Sequence, residues 1–358
     1  MSFKPSQHQV AGHDGCLIAK GLFAKPSNDR ESSFYSQLIE FDNKKAKSFT
    51  DQDDQSGYVG DYLSNWVPSY FGDLTENQLD EPLDLDFDQM NVASKFIPPK
   101  GLVSTDKKYI LLSNLYEDFV SPSILDIKLG SVLTDDLATP EKVERLHKVS
   151  QSTTSGSLGF RICGMKLFQK DEKLPDLSKF KNDAIKIDET VQSDDGYLKF
   201  NKIFGRSLTP GTVPDALRLF ISNSVDEKFQ YHYLEQFYKR LQLLYNCLLD
   251  YEVRIISGSL LFIIENNPTI LGRVEDPEEF DPLISDKFDI NENDEEEDDD
   301  DDDDDNENPH KKTIKKLSSL NMIDFAHATF VPGQGPDDNV LQGVENLIKI
   351  FEDILEVQ

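Results

Sequence analysis

The sequence predicts an α+β chain of two lobes, a small strand-rich first lobe carrying polar insertions and a larger mixed one after it. Three observations carry that reading. β-type apolar runs occur at 15–24 and 108–112 before Pro122, and again at 159–168 and 255–264 after it. Helical periodicity is confined mostly to the later part, above all in the amphipathic stretch 228–249 and the closing stretch 339–355. The length of 358 residues suits one two-lobed domain or two ordinary ones, and 37% hydrophobic residues can build a sizeable core. A mean hydropathy of −0.51 points to polar insertions.

In chain order, 15–24 reads as strand, 31–39 as a short helix, and 42–60 and 76–105 largely as loop rich in Asp, Ser, Gln and Pro. The apolar patch 62–71 interrupts those loops, and 108–112 returns to strand. Residues 121–130 then read Ser-Pro-Ser-Ile-Leu-Asp-Ile-Lys-Leu-Gly. After the turn at Pro122, apolar and charged side chains alternate, so Ile127 and Leu129 face a core while Asp126 and Lys128 share the other face, about 7 Å apart. A carboxylate that orients or deprotonates a hydroxyl beside an ammonium that neutralises phosphate suits phosphoryl transfer. Spacing alone favours the plainer reading, an edge strand with a surface ion pair. Helices follow at 139–150, with Pro140 in the first turn and Glu141 at the positive end of the dipole, and at 214–222 and 228–249. Strands are expected at 159–168, 255–264 and 322–328, with 170–196 polar and irregular, and 339–355 closing the chain as a helix.

The formal charge of −30 is concentrated: residues 291–308 hold fourteen acids and no Lys or Arg. Self-repulsion and the lack of apolar residues keep such a tract from packing, so about 285–317 is expected to be a disordered insertion. His310, Lys311, Lys312, Lys315 and Lys316 follow as a basic cluster, either solvated linker or a nuclear-targeting or partner-docking element. The sign of the bulk charge disfavours direct nucleic-acid binding. The run 260–264 is far too short to span a bilayer, and no signal-peptide pattern opens the sequence, so a soluble intracellular protein is expected. Three widely spaced cysteines suggest neither a disulfide framework nor a zinc site.

Several residues invite chemistry. Gly12 and Gly15 flank His13-Asp14 before a strand, as an ordinary hairpin turn or as a turn bringing backbone N–H groups to phosphate. Arg145, Lys148 and Gln151 share one flank of a helix, solvated unless a ligand needs them. Asp324, between Ile323 and Phe325, is expensive to bury without a partner such as a metal ion.

Pro122, Asp126, Lys128 and Gly130 together form Pro-x-x-x-Asp-x-Lys-x-Gly, the signature of the inositol polyphosphate kinases, and the chain resembles that family, its fungal multikinases above all. The likeness extends in order through 11–15 (AGHDG), 23–26 (FAKP), 153–166, 202–208, 257–263 and 318–327 (SSLNMIDFAH). It implies a protein-kinase/SAICAR-synthase-like fold with antiparallel sheets in both lobes. It implies a nucleotide-binding lobe over 1–115 and a catalytic, inositol-phosphate-binding lobe over 116–358. ATP and Mg²⁺ are the implied cofactors: Lys25 on the nucleotide phosphates, Asn114 and Leu115 at an adenine-binding hinge, Ser259 beside the nucleotide and Asp324 on the metal. Relatives commonly carry an acid where Ser113 stands. Asp126 and Lys128 become the catalytic pair, and Pro122, Lys128, Gly130, Arg145, Lys148, Gln151, Lys202, Arg206 and His327 the substrate side.

The implied activity is conversion of inositol tris- and tetrakisphosphates toward the pentakisphosphate, in the nucleus, with the cytoplasm as a second location. A protein kinase is disfavoured by the lack of His-Arg-Asp, Asp-Phe-Gly and Ala-Pro-Glu. The missing calmodulin-target-like segment argues against a regulated trisphosphate 3-kinase. Two alternatives stay open: a kinase for a single inositol phosphate, hexakisphosphate included, and a nuclear scaffold binding transcription factors through the acidic tract.

Overall fold

The computed structural model describes residues 3–6, 15–48, 59–75, 107–169, 175–180, 189–223, 225–284 and 316–357. The acidic tract, most of its basic neighbour, Gly12 and the loop at 76–105 lie outside the described residues.

Two antiparallel sheets organise the chain. The first contains β1 (Lys4–Pro5), β2 (Leu17–Ala19), β3 (Leu22–Pro26), β4 (Tyr70–Thr75) and β5 (Lys108–Ser113), in the order β1-β2-β3-β5-β4. The second contains β6 (Pro122–Leu129), β7 (Phe160–Phe168), β8 (Val191–Asp194), β9 (Tyr197–Phe200), β11 (Ser259–Glu265) and β12 (Ser318–Ile323), in the order β12-β11-β6-β7-β9-β8. A ribbon of β10 (Val253–Ile255) and β13 (Ala328–Phe330) adjoins it. The fold is α+β and two-lobed, and the expected boundary near 115 falls in the turn between β5 and β6.

The helices are α1 (Asp29–Ser48), α2 (Pro140–Gln151), α3 (Thr154–Leu158), α4 (Lys202–Ser207), α5 (Val213–Ser222), α6 (Glu227–Leu249), α7 (Pro268–Leu271), α8 (Pro277–Phe280) and α9 (Asp338–Glu356). α6 and α9 cover one face of the second sheet. Phe351 stacks parallel on Phe262 at 6.1 Å, and Phe237 meets Phe262 edge-on at 5.0 Å. Alternation along β6 puts Leu125, Ile127 and Leu129 into this core and leaves Asp126 and Lys128 on the opposite face. None of the described helices is long and apolar enough to cross a membrane.

β6 is not an edge strand. It lies between β11 and β7 and is buried along nearly its whole length, which removes the surface-ion-pair reading of Asp126 and Lys128. Four further differences from expectation have physical causes. α1 runs on to Ser48, because the apolar stripe Phe34, Tyr35 and Leu38 continues into a buried polar residue: Asp42 accepts from Ser64 N at 2.9 Å and from the Tyr251 hydroxyl. The run 15–24 breaks into a hairpin at Gly21, whose φ of +70° a side chain disfavours. The polar stretch ending at 196 contains β8, an edge strand whose side chains are mostly exposed, so no apolar alternation announced it. Lys316 and Leu317, assigned from sequence to the end of the disordered insertion, belong to the fold. Lys316 pairs with Asp118 at 2.8 Å, and Leu317 is buried, its carbonyl accepting from Glu265 N at 2.8 Å.

Candidate active site between the two sheets

Lys25 sits near the end of β3. Leu22 and Ala24 point into the small core of the first lobe, so alternation sends Phe23 and Lys25 toward the second. There the Lys25 ammonium bonds Glu31 Oε1 at 2.8 Å and Asp324 Oδ1 at 2.6 Å. Burial pulls the Lys25 pKa down, but Asp324 and then Glu31 more than reverse this and hold it above the usual lysine range. Glu31 is in the first turn of α1, its N–H capped by Asn28 Oδ1 at 3.0 Å. Its Oε1 also accepts from Phe325 N at 3.0 Å, and one turn on Phe34 stacks on Phe325 at 4.8 Å. α1 therefore fixes Lys25 and the segment carrying Asp324 in one frame.

Asp324 occupies the turn between β12 and β13 with φ of +69°, and Ser257, in the turn between β10 and β11, has φ of +61°. Left-handed backbone at non-glycine residues stores roughly 1–3 kcal/mol each and clusters at ligand sites. Both residues line a cleft of about 450 Å³ with Lys25, Glu31, Lys128, Ala326 and His327 among its walls.

Across this cleft lies β6. The Lys128 ammonium donates to Ser257 O at 2.5 Å. Two residues back, Asp126 is only 4% exposed, and its Oδ1 has no hydrogen-bond partner among the described residues. Burial raises its pKa to about 6; Lys128 pulls it down, Asp324 pushes it up, and Ser259 and Arg161 ease the charge further. Ser259 stands opposite Lys128 in the ladder, its hydroxyl near Asp126 yet short of full hydrogen-bond geometry with any partner among the described residues. The β6–β7 register shifts between Asp126 and Ile127, a bulge that aims this face locally.

The ends of β6 are pinned. Before Pro122, the buried carboxylate of Glu265 accepts from Val120 N at 2.6 Å, Ser121 N at 2.9 Å, Asn266 N at 3.0 Å and Asn267 N at 2.8 Å. After Leu129, Gly130 turns the chain with φ of +91°, and a Cβ there would meet Asn339 Nδ2 at 2.4 Å. The loop beyond carries Asp135, whose Oδ2 receives Arg30 Nη1 at 2.7 Å and His327 Nδ1 at 2.8 Å. Burial opposes the charge on Asp135, but His327 and then Arg30 outweigh it and hold the carboxyl below its usual range.

The profile of the inositol polyphosphate kinase family matches residues 109–352. The chain is 40% identical to the inositol polyphosphate multikinase of Saccharomyces cerevisiae, over 98% of each. It belongs to the inositol polyphosphate kinase family. The multikinase of Schizosaccharomyces pombe is 28% identical over 75% of this chain and 83% of its own length. The crystal structure of inositol phosphate multikinase Ipk2 from S. cerevisiae, in complex with ADP and Mn²⁺, superposes with a TM-score of 0.63 at 34% identity, covering 93% of this chain and 99% of that one.

Within this member of the family, Lys25, Lys128, Asp324 and His327 converge on one cleft with Asp126 behind Lys128. Pro122 and Gly130 bracket the strand that carries the pair. Asn114 is committed internally: its N–H donates to Gly21 O at 2.8 Å, and its side-chain amide donates to Glu117 at 3.0 Å. Ser113 N–H donates to Ser69 O at 2.9 Å, and Leu115 is half-buried beyond it. Ser259, expected beside the nucleotide, stands opposite Lys128 in the ladder and does not line the cleft. Arg145, Lys148 and Gln151 are exposed on α2, where Lys148 pairs with Glu144 at 2.7 Å. Lys202 and Arg206 are exposed on α4, which packs so closely on β7 that a Cβ at Gly205 would meet Ile162 O at 1.9 Å. None of these five lines the cleft. Sequence reasoning missed Glu31, Glu265, Arg30 and Asp135; the available signal, for Glu31 alone, was an acid in the first turn of a helix shortly after the FAKP strand, since protein kinases pair a strand lysine with a helix glutamate.

Proposed function

We propose that this chain is an ATP- and divalent-metal-dependent inositol polyphosphate multikinase that phosphorylates inositol tris- and tetrakisphosphates toward the pentakisphosphate. The observation that carries this reading is Lys128 lining one cleft with the Lys25–Glu31–Asp324 cluster, with the buried Asp126 and its open oxygen two residues behind it on the same strand face. In that geometry Lys25, held rigid by Glu31, binds nucleotide phosphate; Lys128 leaves Ser257 O to neutralise the transferring group; and Asp126 orients the attacking inositol hydroxyl and takes its proton. Residues 1–115 then serve as the nucleotide-binding lobe and 116–358 as the catalytic and acceptor-binding lobe. The exposed Arg145, Lys148, Gln151, Lys202 and Arg206 supply peripheral positive charge for a polyanion approaching an acidic protein.

The donor set fits a metal bound mainly through nucleotide. Among the described residues no three His, Cys, Asp or Glu side chains converge. Asp324, a quarter exposed at the cleft, matches the one or two carboxylates that Mg²⁺ or Mn²⁺ takes alongside phosphates and water. When bound, the metal would neutralise phosphate charge and align the transferred group. The basic run from 310, next to the acidic tract, supports a nuclear location and a further role in docking transcription factors.

The deciding experiment incubates the purified chain with ATP, Mg²⁺ or Mn²⁺ and a panel of inositol phosphates, separating product isomers. Sequential products from the trisphosphate support the multikinase reading. Turnover of hexakisphosphate alone would replace it with a single-specificity kinase, and no turnover beyond that of Asp126→Ala would end it. A fluorescent fusion lost from the nucleus when Lys311 and Lys312 become Ala supports the location; unchanged distribution sinks it.

A further inference from the structure

We propose that Asp135 is a positioning residue of this site, holding His327 of the second lobe and Arg30 of the first on one carboxylate oxygen so that the imidazole meets the acceptor in a fixed orientation. The inference rests on the kinase reading above. Its geometric core is the shared Oδ2, with Arg30 Nη1 at 2.7 Å and His327 Nδ1 at 2.8 Å. The burial of the three groups is graded: the Asp135 side chain is 8% exposed, while Arg30 is 33% and His327 is 39% exposed. A sunken carboxylate under two part-exposed donors turns their outer edges toward solvent and the cleft. Because Nδ1 is committed to Asp135, Nε2 is the ring nitrogen left for a ligand, and His327 lines the cleft.

The loop bearing Asp135 is preset rather than adaptable. Asn339 Oδ1 accepts from Ser131 N at 2.8 Å and Val132 N at 2.9 Å, and the Ser257 hydroxyl donates to Leu133 O at 3.2 Å. Asp135 Oδ1 takes the Leu137 N–H at 3.3 Å, so the two carboxylate oxygens divide the work: one closes the turn and the other orients Arg30 and His327. Continuous with β6, the loop places Asp126, Lys128 and Asp135 on one rigid segment. α1 supplies both Glu31, which braces Lys25, and Arg30. Asp135 thereby ties the acceptor-side imidazole to the same helix that braces the nucleotide lysine. Supporting groups of this kind fix an orientation without touching substrate, and their loss is felt as misplacement.

The test is steady-state kinetics on the full chain, with inositol trisphosphate and ATP varied separately, for wild type, Asp135→Ala, Asp135→Asn, His327→Ala and the double Asp135→Ala/His327→Ala. Asp135→Ala is expected to raise the acceptor KM about tenfold while the ATP KM stays within about twofold, the split expected when only acceptor placement is lost. Asp135→Asn, which keeps an oxygen for the Nδ1 proton, recovers acceptor KM to within about threefold of wild type. The double variant is no worse than His327→Ala, since residues acting through one another are non-additive. Equal rises in both KM values would make Asp135 a plain tether between lobes and overturn the proposal, as would additive penalties or an unchanged acceptor KM. Should the Ala variant fail to fold, Asp135→Ser, whose short hydroxyl cannot replace the carboxylate oxygen shared by Arg30 and His327, runs the same cycle with His327→Ala. A wild type that turns over no inositol phosphate overturns the parent reading and this one together; an active wild type with additive effects overturns the Asp135 assignment alone.

Discussion

Asp126 and Asp281 are buried to similar depth, at 4% and 1% exposure, and the fold treats them in opposite ways. Asp281 Oδ1 accepts from Ser318 N at 2.9 Å, Leu317 N at 3.1 Å and Arg240 Nη2 at 3.3 Å; its Oδ2 meets His232 Nε2 at 3.0 Å and the Ser318 hydroxyl. Burial opposes its charge, but the Arg240 guanidinium and these hydrogen bonds prevail, and its pKa lies below the usual range. Asp126 has an oxygen with no partner among the described residues, and burial lifts it to about 6. A carboxylate buried to hold a fold comes with partners for both oxygens; one left open is a candidate to meet a ligand.

Exchanging each for a neutral residue should separate the two roles. Asp126→Asn is expected to cut turnover about a thousandfold, within the usual range for loss of a general base, while the melting temperature holds or rises. A variant within threefold of wild-type turnover would show that Asp126 only fills space. Asp281→Ala should instead remove about 3 kcal/mol of stability in a denaturant titration, because Arg240 is left buried without its carboxylate. Turnover at low temperature should survive. If Asp281→Ala abolished catalysis without loss of stability, the contrast would collapse.

pH sharpens the same contrast because the two shifts have opposite signs. Asp126 binds its proton more tightly folded than unfolded, so the folded state loses stability as pH rises from about 4 through about 6. That penalty amounts to no more than about 3 kcal/mol and is absent from Asp126→Asn. Without nucleotide or metal, wild type and Asp126→Asn should therefore melt together near pH 4, with the variant higher at pH 7. Asp281, with its folded pKa lowered, contributes stability that is present above the unfolded carboxylate pKa and lost as pH falls through the folded one. Its variant should fall furthest below wild type near neutrality, the gap closing in acid. Curves that ran parallel for both variants would deny the pairing difference.

How much of this was legible in the sequence depended on where each residue's partners lie. Asp126 and Lys128 were legible because strand alternation and a nine-residue signature sit in one segment, and Lys25 and Asp324 because flanking motifs mark them. Glu31 and Asp135 were missed: Phe325–Glu31 joins the turn after β12 to α1 and Arg30–Asp135 joins α1 to the loop after β6, pairings that only the tertiary fold creates. α1 was read too short for a related reason, since its later turns rest on Asp42, a polar residue whose burial against Tyr251 no periodicity reveals. β8 was missed because its exposed side chains carry no alternation, although the backbone pairing with β9 is regular.

The smallest expected effect belongs to the most densely charged region, the tract 291–308. The described chain leaves at Ile284 and returns at Lys316, and both ends are fastened to one arginine: Arg240 donates to Pro282 O at 2.8 Å, to Leu283 O at 2.8 Å and to the Ser318 hydroxyl at 2.6 Å. Asp281 binds Leu317 N and Ser318 N from the other side, and Lys316 is anchored on Asp118. With the ends held by the fold, the length between them enters mainly through loop-closure entropy, which changes by less than about 1 kcal/mol when a loop of this size is halved. Removing 291–308 should thus shift stability by no more than that and leave turnover within about twofold, measured by melting and by the inositol phosphate assay. The same deletion in an Asp281→Ala background is the stronger trial. There the ends have lost part of their clamp, so shortening the loop should matter more than in wild type. Equal effects in both backgrounds would mean that Asp281 does not hold the ends at all, and that its two full oxygens serve α6 alone.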